Sequence, residues 1–286
     1  MLTFQIICNW ESSQSITEKW AGRFGWSFAD RFRLVVDNNP DFWIVLNAMP
    51  NNVVSLEPAK CIIFRMEPKM HERPDLWGAF TNPSSTFYHV QRHEAGYWNL
   101  MEWHIQDISR PIKTRDGIMS AILSDKYTDP GHRLRVDFVK HAQHSVPIDV
   151  FGTDMGYTRY HGSLPPYQKD DGLRPYKYTI AVENHSIPFY VTEKLFDAIL
   201  SECLCFYWGA PNLADLIPED AFISLPLEDP EKALEIVRNA MESKQWETRI
   251  NSIREAKQRL LTEQGLYQRL MRIIPSTCKL PAPNAR

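Results

Sequence analysis

Between Tyr176 and Leu200 the chain reads YKYTIAVENHSIPFYVTEKLFDAIL, a spacing suited to binding a phosphorylated ligand. The run Thr179–Val182 predicts a buried strand ending in Glu183-Asn184. A loop with Pro188 follows, then Tyr190 and a helix that Thr192 is placed to cap, with Glu193 and Lys194 in its first turn. In open α/β sheets, ligands bind beyond the carboxyl ends of the strands, close to helix N-termini. There the first amides lack internal partners and the helix dipole favours an anion. Lys194 adds a mobile positive charge suited to a diphosphate, and Glu193 an acceptor suited to a ribose diol. The plainer reading of the pair is a solvated first helical turn.

Other chemistries are pruned by absence. The chain has no GxGxxG and no GxxxxGK[ST], so two well-known phosphate-cradling glycine loops are missing, and with the first a dinucleotide-linked dehydrogenase is disfavoured. It has no HExxH, no Cys/His quartet with zinc spacing and no D-x-D pair. His141 and His144 can share a helix face, but such a pair more often packs than ligates. The expectation is no metal and no cofactor.

The elements that must carry these residues follow from the apolar runs. Strands are expected at Thr3–Cys8, Phe42–Leu46, Cys61–Phe64, Ile148–Phe151, Tyr178–Val182, Leu204–Tyr207 and Phe222–Ser224. Helical spacing lies between them. Leu195, Ala198 and Ile199 fall on one face, as do Ala233, Ile236, Val237, Ala240 and Met241 after an Asp229 cap and Pro230. Short apolar strands alternating with helices indicate parallel sheets covered on both faces. The length, 286 residues, exceeds what one core usually serves. Residues 70–118, rich in His, Trp, Pro and Arg, break the alternation. Two α/β domains are expected, 1–116 and 117–270, with an irregular tail at 271–286.

Composition is that of an ordinary globular chain, with 43% hydrophobic and 23% charged residues. A net charge of −3 gives no electrostatic footprint for nucleic acid or an anionic membrane. The five cysteines are odd in number and mostly sit in apolar runs, which reads as buried reduced thiols. With no signal-peptide core and no stretch of roughly 20 apolar residues, a soluble, cytoplasmic protein is expected. The oligomeric state is left open.

The Tyr176–Leu200 segment resembles the donor-binding signature of the α1,3/α1,4-fucosyltransferases, glycosyltransferase family 10. That pattern reads approximately Y-K-F-x-L-x-F-E-N followed by Y-[IV]-T-E-K-L. It stands here as Tyr176-Lys177-Tyr178, Val182-Glu183-Asn184 and Tyr190-Val191-Thr192-Glu193-Lys194-Leu195. The register continues through Cys205–Pro211 and Ile217–Ile223, and upstream Ile148-Asp149-Val150-Phe151-Gly152 is similar to the family's V-D-x-[FY]-G strand. The likeness covers about 135–240.

The resemblance implies a GT-B architecture, two Rossmann-like domains with parallel sheets facing a central cleft. It also implies inverting, metal-independent transfer of L-fucose from GDP-fucose to a glycan hydroxyl. The N-terminal domain would bind acceptor and the C-terminal one the nucleotide sugar. By the family's R-x-x-[FY] motif Arg135 contacts the donor phosphates, with Arg133 as the neighbouring alternative. Lys194 becomes the second phosphate ligand and Glu193 the ribose ligand. Asn184 and Tyr190 lie around nucleotide and sugar, with Glu183 and Thr192 as further candidates. Glu67, after the Cys61–Phe64 strand, corresponds to the proposed base of a G-E-N-like motif, although Met66 and Pro68 replace the glycine and asparagine. Glu94 and Glu102 are the fallback bases. Trp10, with Trp77, Tyr97, Trp98 and Trp103, offers aromatic faces to an acceptor sugar. Nine residues separate Glu183 from Glu193, against seven in the glutamate pair of retaining GT-B enzymes, which favours inversion. Val182 and Phe189 depart from the signature and leave another nucleotide sugar open. The changed surroundings of Glu67 leave open a catalytically silent glycan- or nucleotide-binding protein.

Overall fold

A computed structural model describes residues 1–37, 39–47, 56–65, 88–91, 104–106, 108 and 115–275. Two compact units are found, one of Met1–Leu100 with Thr262–Arg286, the other of Met101–Leu261.

The first unit holds a six-stranded sheet, order β2-β3-β1-β4-β5-β6, from β1 (Leu2–Cys8), β2 (Ser27–Phe28), β3 (Phe32–Leu34), β4 (Phe42–Leu46), β5 (Cys61–Phe64) and β6 (His89–Gln91). Every pairing is parallel except β2 with β3. β4 and β5 are buried at every position, which is why they read as continuous apolar runs. Helix α1 (Ser13–Phe24) starts where Ser12 Oγ accepts from Ser15 N at 3.2 Å, and it buries Ile16, Trp20 and Ala21.

The core of this unit also contains Leu266, Tyr267, Leu270 and Ile274 from the C-terminal helix, Leu266–Ile273. Tyr267 stacks on Phe28 at 5.2 Å and donates to the Gly25 carbonyl at 2.6 Å. The division therefore differs from the contiguous 1–116, 117–270 and 271–286 expected. The apolar face of 266–274 is buried against the first sheet, so the chain stays ordered past residue 271.

The second unit carries a five-stranded parallel sheet, order β11-β10-β9-β7-β8. Its elements are β7 (Gly117–Leu123), α2 (Pro130–Ala142), β8 (Ile148–Gly152), α3 (Asp170–Leu173), β9 (Tyr176–Val182), α4 (Glu193–Leu200), β10 (Leu204–Trp208), β11 (Phe222–Ser224), α5 (Pro230–Glu242) and α6 (Gln245–Glu263); α7 is the C-terminal helix described above. Both units are thus parallel-sheet α/β, the class expected for GT-B. All seven expected strands are present. β7 was not among them, and it lies between β9 and β8. Ser120 interrupts its apolar run and is tolerated at 0% exposure because Thr179 of β9 lies 3.3 Å away.

Asp149 on β8 ties this unit together. Its carboxylate accepts from Arg159 Nε at 2.6 Å and Tyr176 Oη at 3.0 Å, with His161 Nε2 at 3.1 Å. Burial acts to raise its pKa, but the bonds from Arg159 and Tyr176 outweigh this and hold it below its usual value. A depressed carboxylate contributes stability above its unfolded pKa, lost as pH falls through the folded one. Asp149→Asn is therefore expected to lower urea-unfolding stability at pH 7 by about 1–3 kcal/mol. The gap from the parent should close on acidification below about pH 4.

Among the described residues Cys8, Cys61, Cys203 and Cys205 are buried free thiols, and burial pushes Cys61 up to about 12. No helix among them is long and apolar enough to cross a membrane.

Candidate functional site

The strand order of the second sheet reverses between β7 and β9: from β7 the chain adds β8 on one side, then crosses to add β9, β10 and β11 on the other. A cavity of about 220 Å³ lies there. Its floor is Ile122, Leu123 and Ser124 at the end of β7 together with Thr179–Val182 of β9, and its charged walls are Arg135, Lys169, Glu193, Lys194 and Asp197. This is where an open α/β sheet accepts ligands.

Arg135 is delivered by α2. Pro130 occupies the first helical position, and Asp129 N donates to His132 Nδ1 at 3.2 Å. Val136, Val139 and Ala142 are buried. The Arg135 guanidinium, in a side chain 7% exposed, donates to Ser124 Oγ at 3.2 Å and Asn184 Oδ1 at 3.3 Å. Among the described residues its buried Nε has no hydrogen-bond partner. Burial lowers its pKa, opposed first by Glu183 and then by Glu193, but a guanidinium keeps its charge. Arg133, two residues before, is exposed and turned to the Thr128 carbonyl. Between the two candidates, only Arg135 lines the cavity.

Gly131 sets how closely α2 approaches β9. Its N–H donates to the Asn184 carbonyl at 3.0 Å, and a Cβ on it would stand 1.8 Å from the Glu183 carbonyl oxygen. Gly131→Ala must push α2, and Arg135 with it, away from β9. The expected cost is about 1–3 kcal/mol of stability by overpacking, measured by urea denaturation.

Glu193 and Lys194 open α4, where Thr192 is the cap as expected. Lys194 Nζ lies 3.3 Å from Glu193 Oε1 and 3.5 Å from Glu183 Oε2. Burial would lower the Lys194 pKa, but the two carboxylates outweigh it and raise it, with Arg135 opposing. Glu193 is held well below the usual carboxylate range because Lys194, Lys169 and His104 together exceed its desolvation. Both side chains remain 24% exposed, open to a ligand.

The remaining expected residues are placed differently. Asn184 stands at the edge as a partner of Arg135. Tyr190 is 3% exposed, its carbonyl 3.5 Å from Tyr207 Oη. Glu183 and Thr192 bond to one another and do not line the cavity. Trp10 is exposed just after β1, its indole N–H donating to Glu11 at 3.2 Å. Glu67, Glu94 and Glu102, like Trp77, Tyr97, Trp98 and Trp103, lie outside the described residues.

Sequence reasoning missed Lys169 and Asp197. Asp197 follows Glu193 by one turn of α4 and is 1% exposed. It accepts from Lys169 Nζ at 2.8 Å and from His104 N at 2.6 Å. A charged residue among the buried positions of an apolar helix was the available signal. No group of three or more His, Cys, Asp or Glu suited to a metal occurs among the described residues.

Residues 112–246 match the model of the C-terminal domain of glycosyltransferase family 10, the fucosyltransferases. The matched stretch covers just under half of this chain. All the cavity-lining residues fall inside it. Similar proteins include the zebrafish (Danio rerio) GDP-fucose protein O-fucosyltransferase 3, 25% identical over 190 residues, 58% of this chain and 40% of that one. Another is the Drosophila melanogaster α-(1,3)-fucosyltransferase B, 28% identical over 136 residues, 43% of this chain and 29% of that one. The chain thus spans less than half the length of these relatives. Among solved structures, an α1,3-fucosyltransferase with GDP superposes with a TM-score of 0.54 at 17% identity, covering 87% of this chain and 81% of the other. A DNA-modifying β-glucosyltransferase gives 0.50 at 11% identity, covering 94% and 99%. At these identities the likeness to solved structures concerns the fold. The matched stretch coincides with the second unit's sheet and the helices that carry the charged walls.

Proposed function

We propose that this chain is an inverting, metal-independent glycosyltransferase that moves L-fucose from GDP-fucose to a hydroxyl of a glycan acceptor. One observation carries the reading: Arg135 and Lys194, from helices that follow different strands, face one cavity at the strand-order switch beside Glu193. Two fixed cations suit a diphosphate, and their field stabilises the negative charge that grows on it as the sugar leaves. The Arg135 Nε, without a partner among the described residues, is a donor suited to an acceptor of this kind. Glu193, held ionised, suits the ribose hydroxyls as an acceptor. With this charge supplied by side chains, the step requires no divalent ion. Glu67 takes the acceptor proton as general base, and Trp10 stacks on the acceptor sugar.

Calorimetry with GDP, UDP and dTDP tests the nucleotide, and preferential UDP binding would remove fucose from the proposal. Transfer from GDP-fucose, assayed with and without EDTA and followed by NMR of the product anomer, tests donor, metal independence and inversion. The replaced neighbours of Glu67, Met66 and Pro68, favour a second reading. A silent binding protein would take up GDP tightly and turn over no donor with glycan or protein acceptors.

A further inference from the structure

Among the described residues of the second unit, the most completely enclosed carboxyl does not line the cavity. Glu183 is 0% exposed at the end of β9, where its N–H donates to the Trp208 carbonyl at 2.9 Å and continues the β9–β10 pairing. One carboxylate oxygen accepts from Thr192 N at 2.8 Å and the other from Thr192 Oγ1 at 2.6 Å. The second oxygen also faces Lys194 Nζ at 3.5 Å, and Lys194 Nζ lies 3.1 Å from the same Thr192 hydroxyl. Two glycines close the surroundings. A Cβ at Gly209 would stand 2.6 Å from Glu183 Cγ, and one at Gly131 would meet its carbonyl oxygen. A buried carboxylate survives only when paired and hydrogen-bonded, and among the described residues the partners of this carboxylate, Thr192 and Lys194, belong to the turn that presents Lys194.

We propose that Glu183 is a positioning residue that never touches the donor: a solvent-free counter-charge that fixes, through Thr192, where the Lys194 ammonium stands. The assignment deepens the donor-binding reading of this cavity and rests on it. Lys194 has two carboxylates in reach, and they differ in kind. Glu193 is partly exposed and available to ligand hydroxyls, whereas Glu183 is locked and stays with the lysine when the pocket fills. Lys194 then meets the diphosphate with its stem already oriented, and less of the binding is lost to ordering it.

The test is a double-mutant cycle. Glu183→Gln is expected to weaken GDP binding about tenfold or more when Lys194 is present, and by less than about twofold in a Lys194→Met background. Equal losses in both backgrounds, or none in either, would overturn the assignment. If Glu183→Gln fails to fold, Thr192→Val and Thr192→Ser give the answer. Valine should weaken Lys194-dependent GDP binding and serine should leave it near that of the parent; identical behaviour of the two argues against the relay. A nucleotide-free readout separates this from the donor reading. In NMR of the ¹³C-methylated full chain, with Lys194→Met assigning the signal, Glu183→Gln should move the Lys194 titration to lower pH. Glu193 still faces the ammonium from α4 and Arg135 from α2. A moved titration in a protein that ignores GDP would sustain the counter-charge and remove the donor reading; an unmoved one would remove the counter-charge itself.

Discussion

Arg135→Ala and Lys194→Ala are each expected to weaken GDP binding by about 1.5–3 kcal/mol, the worth of a hydrogen bond to a charged group. That is roughly tenfold or more in Kd. The two losses arise differently. Arg135 is 7% exposed and braced by Ser124 and Asn184, so its removal takes away a planar donor already aimed. It also leaves those two partners unpaired. Lys194 is the more exposed charge and must exchange Glu193 for the ligand, so its loss should grow steeper at low salt. Arg133→Ala supplies the control, because that side chain turns to the Thr128 carbonyl at the surface. Isothermal titration of the three variants decides the matter. Normal GDP binding by both Arg135→Ala and Lys194→Ala would displace the donor site from this cavity.

The larger kinetic effect is expected at Glu67. Removing a general base typically costs between about 10² and 10⁴ in rate, so Glu67→Gln should lower kcat on that scale while leaving GDP affinity unchanged. The separation between kcat and Kd is the informative part: the base acts on the acceptor hydroxyl, not on the diphosphate. An unchanged turnover number for Glu67→Gln would falsify the base assignment. Glu94→Gln and Glu102→Gln, assayed in parallel, would then identify the carboxylate that takes its place.

What the sequence disclosed is mostly what local periodicity can disclose. β4 and β5 begin and end where their apolar runs do, because strands buried on both faces carry no polar interruption. The caps were equally local: Thr192 begins α4, and Asp229 begins α5 by accepting from Lys232 N at 3.1 Å. β7 escaped because Ser120 breaks its run, and only a neighbouring strand, distant in sequence, supplies the Thr179 that makes the break tolerable. Lys169 escaped for the same reason in stronger form. It sits in a polar loop without periodicity, and only folding brings it 2.8 Å from Asp197, 28 residues away. Arg135, Glu193 and Lys194 were legible through the resemblance of their motifs. The division of labour between them and Glu183 was not, since a sequence does not say which of two glutamates is open to solvent.

The return of the C-terminal helix to the first sheet sets a rule for anyone cutting or recombining this gene product. A fragment ending before Leu266 would strip Phe28 and Phe32 of the Tyr267 ring that stacks on them, and the bare aromatic face would invite clumping. An exchange of the first unit between relatives should therefore transplant two separate pieces of polypeptide, the leading hundred residues and the closing helix, as a matched set.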